Sequence, residues 1–415
     1  MLKGVLKKMS AASLLLLGCQ GLLLFAMQVV SQRLGKTGYG QFGLAMSISV
    51  YASQFIQWGM DQLLTVKFAR GSADDARRLL GLLLRQKQLA ALVAIFAAAI
   101  ASLCWADADA RALIFLGAVD GVCLAFTMPS VFDARGKTAT WQFFAFLRHS
   151  VYLAALLSFA AFYRDFFTPV SVVSLHLFCI FTELLLEQIW IHRHCGAPRW
   201  PAPATEALAL WREAAPMALA VLAQQVLFNC GQPILRAFGH DAEAGGLYLS
   251  NQLTIGAASF IVAPGAILHA RLALHAHEGA AFRRRVWRIV VPCALAGIII
   301  SLAYPLVCGW IVRHFFKNLA DSTPAILFVD TWRLAPILAS VPLSSALICL
   351  GKLRAFAACH IVSALTGIGV AAALIPKYGA FAVAGGIAAG SCACFFFVAT
   401  LVFVDDTEAA SEHAS

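Results

Sequence analysis

About twelve apolar runs, each close to the 20 residues that carry a helix across roughly 30 Å of hydrocarbon, set what this chain can fold into. They lie near 12–30, 42–66, 88–105, 111–132, 141–163, 167–190, 213–234, 246–268, 287–312, 324–349, 354–375 and 380–404. A backbone in lipid must satisfy its own N–H and C=O groups, and helices do so within one segment. The fold class expected is therefore all-α integral membrane. Composition agrees: 61% of 415 residues are hydrophobic and 13% charged, against about 45–50% and about 25% in soluble domains. The first run follows Lys3, Lys7 and Lys8 as a signal peptide would, yet no small-residue cleavage site follows it, so it reads as a retained span.

Most of the 31 lysines and arginines fall in alternate connections. With the N-terminus inside, the cytoplasmic segments hold Lys67, Arg70, Arg77, Arg78, Arg85 and Lys87, then Arg135, Lys137 and Arg148, then Arg193, Arg199 and Arg212, then Arg271, Arg283, Arg284, Arg285 and Arg288, and finally Lys352 and Arg354. The positive-inside rule then places both termini in the cytoplasm of a plasma or inner membrane. This bias accounts for most of the net charge of +10 without a nucleic-acid partner.

The Gly-Lys-Thr triplets at Gly35 and Gly136 are not phosphate loops, because Val30 and Val131 stand where a G-x-x-x-x-G-K-[ST] loop has its first glycine. No cofactor motif is present. The 12 cysteines sit almost entirely in apolar spans, as small hydrophobes do. Cys392 and Cys394 point to different faces of one helix. His192, His194, Cys195, His275 and His277 lie in basic loops where solvated histidines are ordinary, so no metal site is expected.

Polar residues inside the spans carry the functional signal, because a charge at membrane depth is costly unless it faces protein or a wet cavity. Gln54, Gln57 and Asp61 recur at helical spacing, as do Glu183 and Glu187, four apart. Asp120, His176, Gln224, Gln225, Asn229, Gln232, Asn251, Gln252 and Arg333 are the others. The amides can hold helices together by hydrogen bonds. Coupling to protons or sodium needs a titratable acid, and Asp61, Asp120, Glu183 and Glu187 are the in-span candidates. Arg333 is expected in the outer third of the tenth span, sharing a face with Asp330.

The chain also repeats itself weakly. Leu34-Gly35-Lys36 through Gly38-Tyr39-Gly40-Gln41-Phe42 has a counterpart in Phe238-Gly239-His240 through Gly245-Gly246-Leu247-Tyr248, and Arg135-Gly136-Lys137 has one in Leu350-Gly351-Lys352. These offsets of about half the chain imply two parallel six-helix halves, a transporter signature. The halves would span 1–190 and 213–404, joined by a proline-bearing cytoplasmic linker at 191–212, with a cytoplasmic tail at 405–415.

The turn GKTGYGQFGLAMS with its GMDQL ending, the GGLYLSNQL turn and the IPKYGAFAVAGGIAAG segment at 375–390 resemble the Wzx-type polysaccharide flippases of the multidrug/oligosaccharidyl-lipid/polysaccharide (MOP) exporter superfamily. Lipid II flippases are resembled less, the first span here carrying no arginine. The resemblance implies two pseudo-symmetric six-helix bundles of MOP/MATE type around a cavity that opens to each side in turn. The cargo implied is a polyprenyl-diphosphate-linked oligosaccharide, moved to the outer leaflet for O-antigen, capsule or exopolysaccharide assembly, with membrane lipids and the polymerase and chain-length components of that pathway as partners. Cavity candidates are Arg333, Arg148, Arg236, Gln54, Gln57, Gln225 and Asn229, arginine being suited to bidentate contact with phosphate oxygens. No covalent bond changes, so no enzyme is expected. A cation-coupled drug antiporter of the same superfamily keeps the fold with another cargo. A glycan polymerase or ligase would need a long external loop, whereas every external connection here is short.

The topology is directly testable. Reporter fusions after Lys87, Arg199 and Arg285 are expected to report the cytoplasm, and fusions near Lys36, His240 and Lys377 the outside. An outside signal at Arg285 would break the arrangement of parallel halves.

Overall fold

A computed structural model of the chain describes residues 2–403 apart from 61–63, 65–66, 69–72, 106, 200–202, 263–271, 273–274, 276–277 and 320. These residues are helical almost throughout, and each expected apolar run has a helix over its described part. Among the described residues nine helices are long and apolar enough to span a membrane, or ten with one bent pair, so the protein is a multi-pass membrane protein. The first of the nine contains two of the expected runs, because it breaks at Gly35, where φ is 69°.

The chain forms two compact units, 1–218 and 219–415. The first contains α1 (Leu2–Gln57), α2 (Ala73–Leu103), α3 (Ala108–Ala125), the short α4 (Pro129–Ala134), α5 (Thr138–Phe162) and α6 (Pro169–Cys195). The expected second run reached residue 66, but α1 ends at Gln57 in a turn where Trp58 and Gly59 both have positive φ. Trp58 is held there by a hydrogen bond from its indole N–H to the Trp211 carbonyl (3.0 Å) and by ring contact with Trp211 at 4.8 Å. Helix α6 continues to Cys195 and α7 (Ala204–Asn229) begins at Ala204, so the segment between helices is shorter than the expected 191–212 linker. The boundary between units falls within α7, at Ala218.

The second unit holds the rest of α7, then α8 (Gly231–Ala237), α9 (Asp241–Val262), α10 (Ala280–Phe315), α11 (Thr323–Asp330), α12 (Leu334–Cys349), α13 (Leu353–Tyr378) and α14 (Ala380–Phe403). α7 and α8 form the bent pair, turning by 49°. Leu227, Leu235, Leu247, Ile326, Val383 and Ile387 form the core that fixes α7–α9, α11 and α14 together. Many large apolar side chains remain bare, among them Leu103, Phe162 and Leu306 at 77%, 80% and 75% exposure. That pattern suits helices whose outer faces meet hydrocarbon rather than water.

The Gly136 and Gly351 motifs are repeated geometry, which Gly239 also adopts, whereas its counterpart Gly35 has φ 69° and ψ −174°. Gly136, Gly239 and Gly351 have φ of 63°, 78° and 74°. Each ends its helix with the same pair of bonds: Gly136 N–H to Asp133 O and Lys137 N–H to Phe132 O; Gly239 to Arg236 and His240 to Leu235; Gly351 to Ile348 and Lys352 to Leu347. This is the Schellman closure, which needs a left-handed residue and so selects glycine. The IPKYGAF motif has a different cause. Its Gly379 opens α14 beside Glu243 of α9, whose carboxylate accepts the Ala380 N–H at 2.7 Å. A negative group there offsets the positive end of the helix dipole.

Helices α1 and α3 approach so closely that a methyl group added at Gly117 or Gly121 would overlap the carbonyl oxygens of Ala45 and Ser49. Small residues permit such approach between membrane helices. Gly121→Ala is expected to cost about 2 kcal/mol through overpacking, read as a lowered Tm in detergent. Gly369→Ala, where the added carbon meets nothing within 4 Å, should gain a fraction of the about 1 kcal/mol by which alanine exceeds glycine in helices. Equal shifts in both variants would rule out the close approach as the cause.

Candidate functional site

Each unit contains one buried polar cluster, and each cluster sits where a span is interrupted. In the first unit α3 ends before Pro129, which has no N–H to continue the ladder and disfavours helix in the residue before it. The interruption strands backbone groups inside the protein, and three side chains reach them. Lys87 Nζ donates to Thr127 O at 3.0 Å, Gln188 Nε2 to Phe126 O at 3.4 Å, and Glu187 Oε2 accepts from Met128 N–H at 3.2 Å. The second oxygen of Glu187 is buried with no partner among the described residues.

Helix α6 carries His176, Glu183 and Glu187 at spacings of seven and four, one face over roughly 16 Å of helix. Arg148 Nη1 of α5 donates to Glu183 Oε2 at 2.7 Å, and its Nη2 lies 3.0 Å from His149 Nε2. Farther along, His176 Nδ1 is 2.9 Å from Asp120 Oδ1, while Ser49 of α1 donates to Asp120 Oδ2 at 2.6 Å. Asp120 and Glu187 are fully buried, and Glu183 nearly so.

In the second unit α11 gives way to a 3-10 turn, Thr331–Arg333, before α12. Asp330 Oδ2 accepts from Ser250 Oγ at 3.1 Å and Thr254 Oγ1 at 2.9 Å, both on α9, and lies 3.2 Å from Arg333 Nη2. The same Nη2 donates to Asn251 Oδ1 at 2.8 Å. The Phe228 ring lies 5.1 Å from the guanidinium carbon. From Asn251 the bonds run on to Asn229 Oδ1 (3.4 Å), and Asn229 donates to Gln225 Oε1 (3.1 Å) at the bend between α7 and α8. Arg333 is 1% exposed, and its Nη1 has no partner among the described residues. Asp330 Oδ1 is likewise unmatched. The serine-to-aspartate bond recurs at the repeat offset, Ser49 to Asp120 in one unit and Ser250 to Asp330 in the other.

Arg333, Gln225 and Asn229 thus come together, as do Arg148 and Glu183, with Glu187 one turn away and Asp120 farther along the same ladder. Gln54 and Gln57 bond each other at 3.3 Å near the end of α1. Arg236 is half-buried on α8. Asp61 lies outside the described residues. Three residues differ from the sequence expectation, Arg148 only as a cytoplasmic cation, since it is also a cavity candidate. Lys87 and Arg148, expected among the cytoplasmic cations, are respectively fully buried and largely buried, within α2 and α5. Arg333 lies in the turn that interrupts a span rather than on a continuous helix. Lys87, Gln188, Ser49, Ser250 and Thr254 were not legible as site residues. Pro129 inside the fourth run was the available signal, since a proline there demands side-chain donors from its neighbours. Among the described residues no group of three His, Cys, Asp or Glu side chains could hold a metal.

No family model matches the chain, and no curated relative matches it. Solved structures do. A lipid II flippase, MurJ, in an inward closed conformation superposes with a TM-score of 0.69 at 12% identity, over 94% of this chain and 87% of that one. A MOP superfamily transporter from Pyrococcus furiosus gives 0.56 at 12% identity, over 99% and 96%. A eukaryotic MATE transporter gives 0.56 at 14%, over 97% and 96%. The chain therefore has the MOP/MATE-like fold. Its backbone follows the lipid II flippase at least as well as these other transporters, although its first span lacks an arginine.

Breaking the Arg148–Glu183 pair from one side should strand a buried charge. Glu183→Leu is expected to lose about 3 kcal/mol of stability, and Glu183→Leu with Arg148→Met to recover most of it, measured by unfolding in detergent. A double variant no more stable than the single one would deny that the stranded charge causes the loss.

Proposed function

We propose that the protein translocates a polyprenyl-diphosphate-linked oligosaccharide from the cytoplasmic to the outer leaflet of the plasma membrane, supplying O-antigen, capsule or exopolysaccharide assembly. The observation that carries this reading is the unmatched Nη1 of Arg333, a charged donor deep in a membrane protein with half of its planar fork unused. A buried donor without a partner is unfavourable, and a phosphate oxygen offers what it lacks, with geometry suited to the guanidinium. The fold shared with a flippase of a lipid-linked cargo supports the same substrate class. The prenyl tail would stay in lipid against the apolar outer faces while the head group crosses by alternating access.

In this scheme Asn251, Asn229 and Gln225 orient Arg333 and present amides to sugar hydroxyls, and Asp330 aims the guanidinium. No covalent chemistry is involved. Movement against a gradient would draw on protons or sodium, with Asp120, Glu183 and Glu187 as the acids. The polymerase and chain-length components of the glycan pathway would receive the product. The acid ladder of the first unit favours one other reading, a cation-coupled drug antiporter. That reading expects a deletion strain with unchanged surface glycan and raised sensitivity to cationic drugs.

The flippase reading expects the deletion strain to lose one polymeric surface glycan while its lipid-linked unit accumulates on the inner leaflet. At matched membrane levels Arg333→Gln should abolish export, and Arg333→Lys should retain only part, since a point charge replaces the fork. Full export by Arg333→Gln would remove Arg333 from the site.

A further inference from the structure

The second unit has a basic cavity that neither buried cluster uses. It is about 520 Å³, lies where the start of α10 meets the end of α14, and is lined by Arg283, Arg284, Trp287, Arg288 and Phe403. Arg284 and Arg288 are four apart, so their guanidinium groups stack one turn from the other on a single face. Neither has a carboxylate partner among the described residues, whereas neighbouring Arg285 pairs with Glu278 at 3.2 Å. Trp287 and Phe403 meet edge to face at 5.3 Å and wall the cavity. Among the described residues no acidic side chain lines it. An apolar stripe continues directly from this basic mouth along α10. Trp287, Val291, Leu295, Ile298, Leu302 and Leu306 are 48%, 41%, 57%, 42%, 48% and 75% exposed. Their spacings of three and four keep them on one face.

A cationic head cavity joined end to end with a bare apolar track has the shape and polarity of one lipid molecule. Tryptophan at the junction suits the membrane–water boundary, where a ring with one polar edge is most stable. We propose that this site holds an anionic phospholipid, its phosphate between Arg284 and Arg288 and an acyl chain along the α10 stripe. Charge complementarity selects the occupant: a zwitterionic head group brings its own cation to the arginines, whereas a phosphatidylglycerol brings only the anion. Basic pockets between helices at the membrane boundary recognise anionic head groups on this principle.

The test uses the purified full-length protein in detergent, titrated with phosphatidylglycerol, phosphatidylcholine or inorganic phosphate and followed by native mass spectrometry. A retained phosphatidylglycerol adduct is expected, with phosphatidylcholine held much more weakly. Arg284→Gln with Arg288→Gln should weaken the adduct roughly thirtyfold, while Arg285→Gln, which removes only the paired arginine, should leave it within a few-fold. Unfolding of each variant without lipid shows whether it is intact. Equal retention of the two lipids overturns the proposal, as does an unchanged adduct in the double variant. Displacement of phosphatidylglycerol by equimolar inorganic phosphate would mark a site for free anions and overturn the lipid assignment. The readout is independent of glycan export, so it stands or falls apart from the function proposed above.

Discussion

The rest of this structure depends on one constraint: inside hydrocarbon, a backbone N–H or C=O that leaves its helix must find another partner within the protein. Most of the chain meets it by staying helical. The exceptions are few, and they are where the charges are. Where α3 stops before Pro129, a lysine, a glutamate and a glutamine from α2 and α6 take over the stranded groups. Where α11 gives way to Thr331–Arg333, the neighbouring Asp330 is held by the hydroxyls of α9 and Thr331 O accepts the Ser301 hydroxyl. The polar residues are therefore placed by the interruptions, and the interruptions make a polar interior available for work.

This changes how the buried charges are read. Lys87 and Glu187 have a structural employment that follows from Pro129 alone. Among the described residues Glu187 nevertheless retains one oxygen with nothing to accept, and Arg333 one nitrogen with nothing to donate to. Structure accounts for half of each group. The unused halves are what a moving cargo or a coupling ion could engage. The two units differ in make-up: the first sets Asp120, Glu183 and Glu187 beside His176, Arg148 and Lys87, and the second pairs Arg333 with Asp330 and backs it with amides.

The two units also share a plan. The Schellman closures at Gly136 and Gly351 and the serine-to-aspartate bonds recur at offsets of about half the chain. What surrounds the repeated aspartate has diverged, since Asp120 faces His176 and Asp330 faces Arg333. A duplicated scaffold thus carries unlike partners at corresponding carboxylates.

The sequence by itself determined the class, the approximate spans and the repeat. Each of these is a one-dimensional property: the length of an apolar run, the position of a glycine, the spacing of polar residues on a helix. It also determined that Asp120, Glu183, Glu187 and Arg333 would be the uncommon residues. Only the tertiary structure decided their partners. Lys87 reads as a loop cation because it lies at the end of an apolar run, and burial by helices distant in sequence made it interior, whereas Arg148, already a cavity candidate, owes only its partner Glu183 to the packing. Ser49 and Thr254 carry no signal in a sequence, since a lone hydroxyl in a membrane helix ordinarily bonds the carbonyl four residues back. They became ligands of buried acids because close packing of α1 on α3, and of α9 on α11, brought a carboxylate within reach. Hydrogen-bond partners in a low-dielectric interior are chosen by proximity across helices, and proximity is what a linear pattern does not contain.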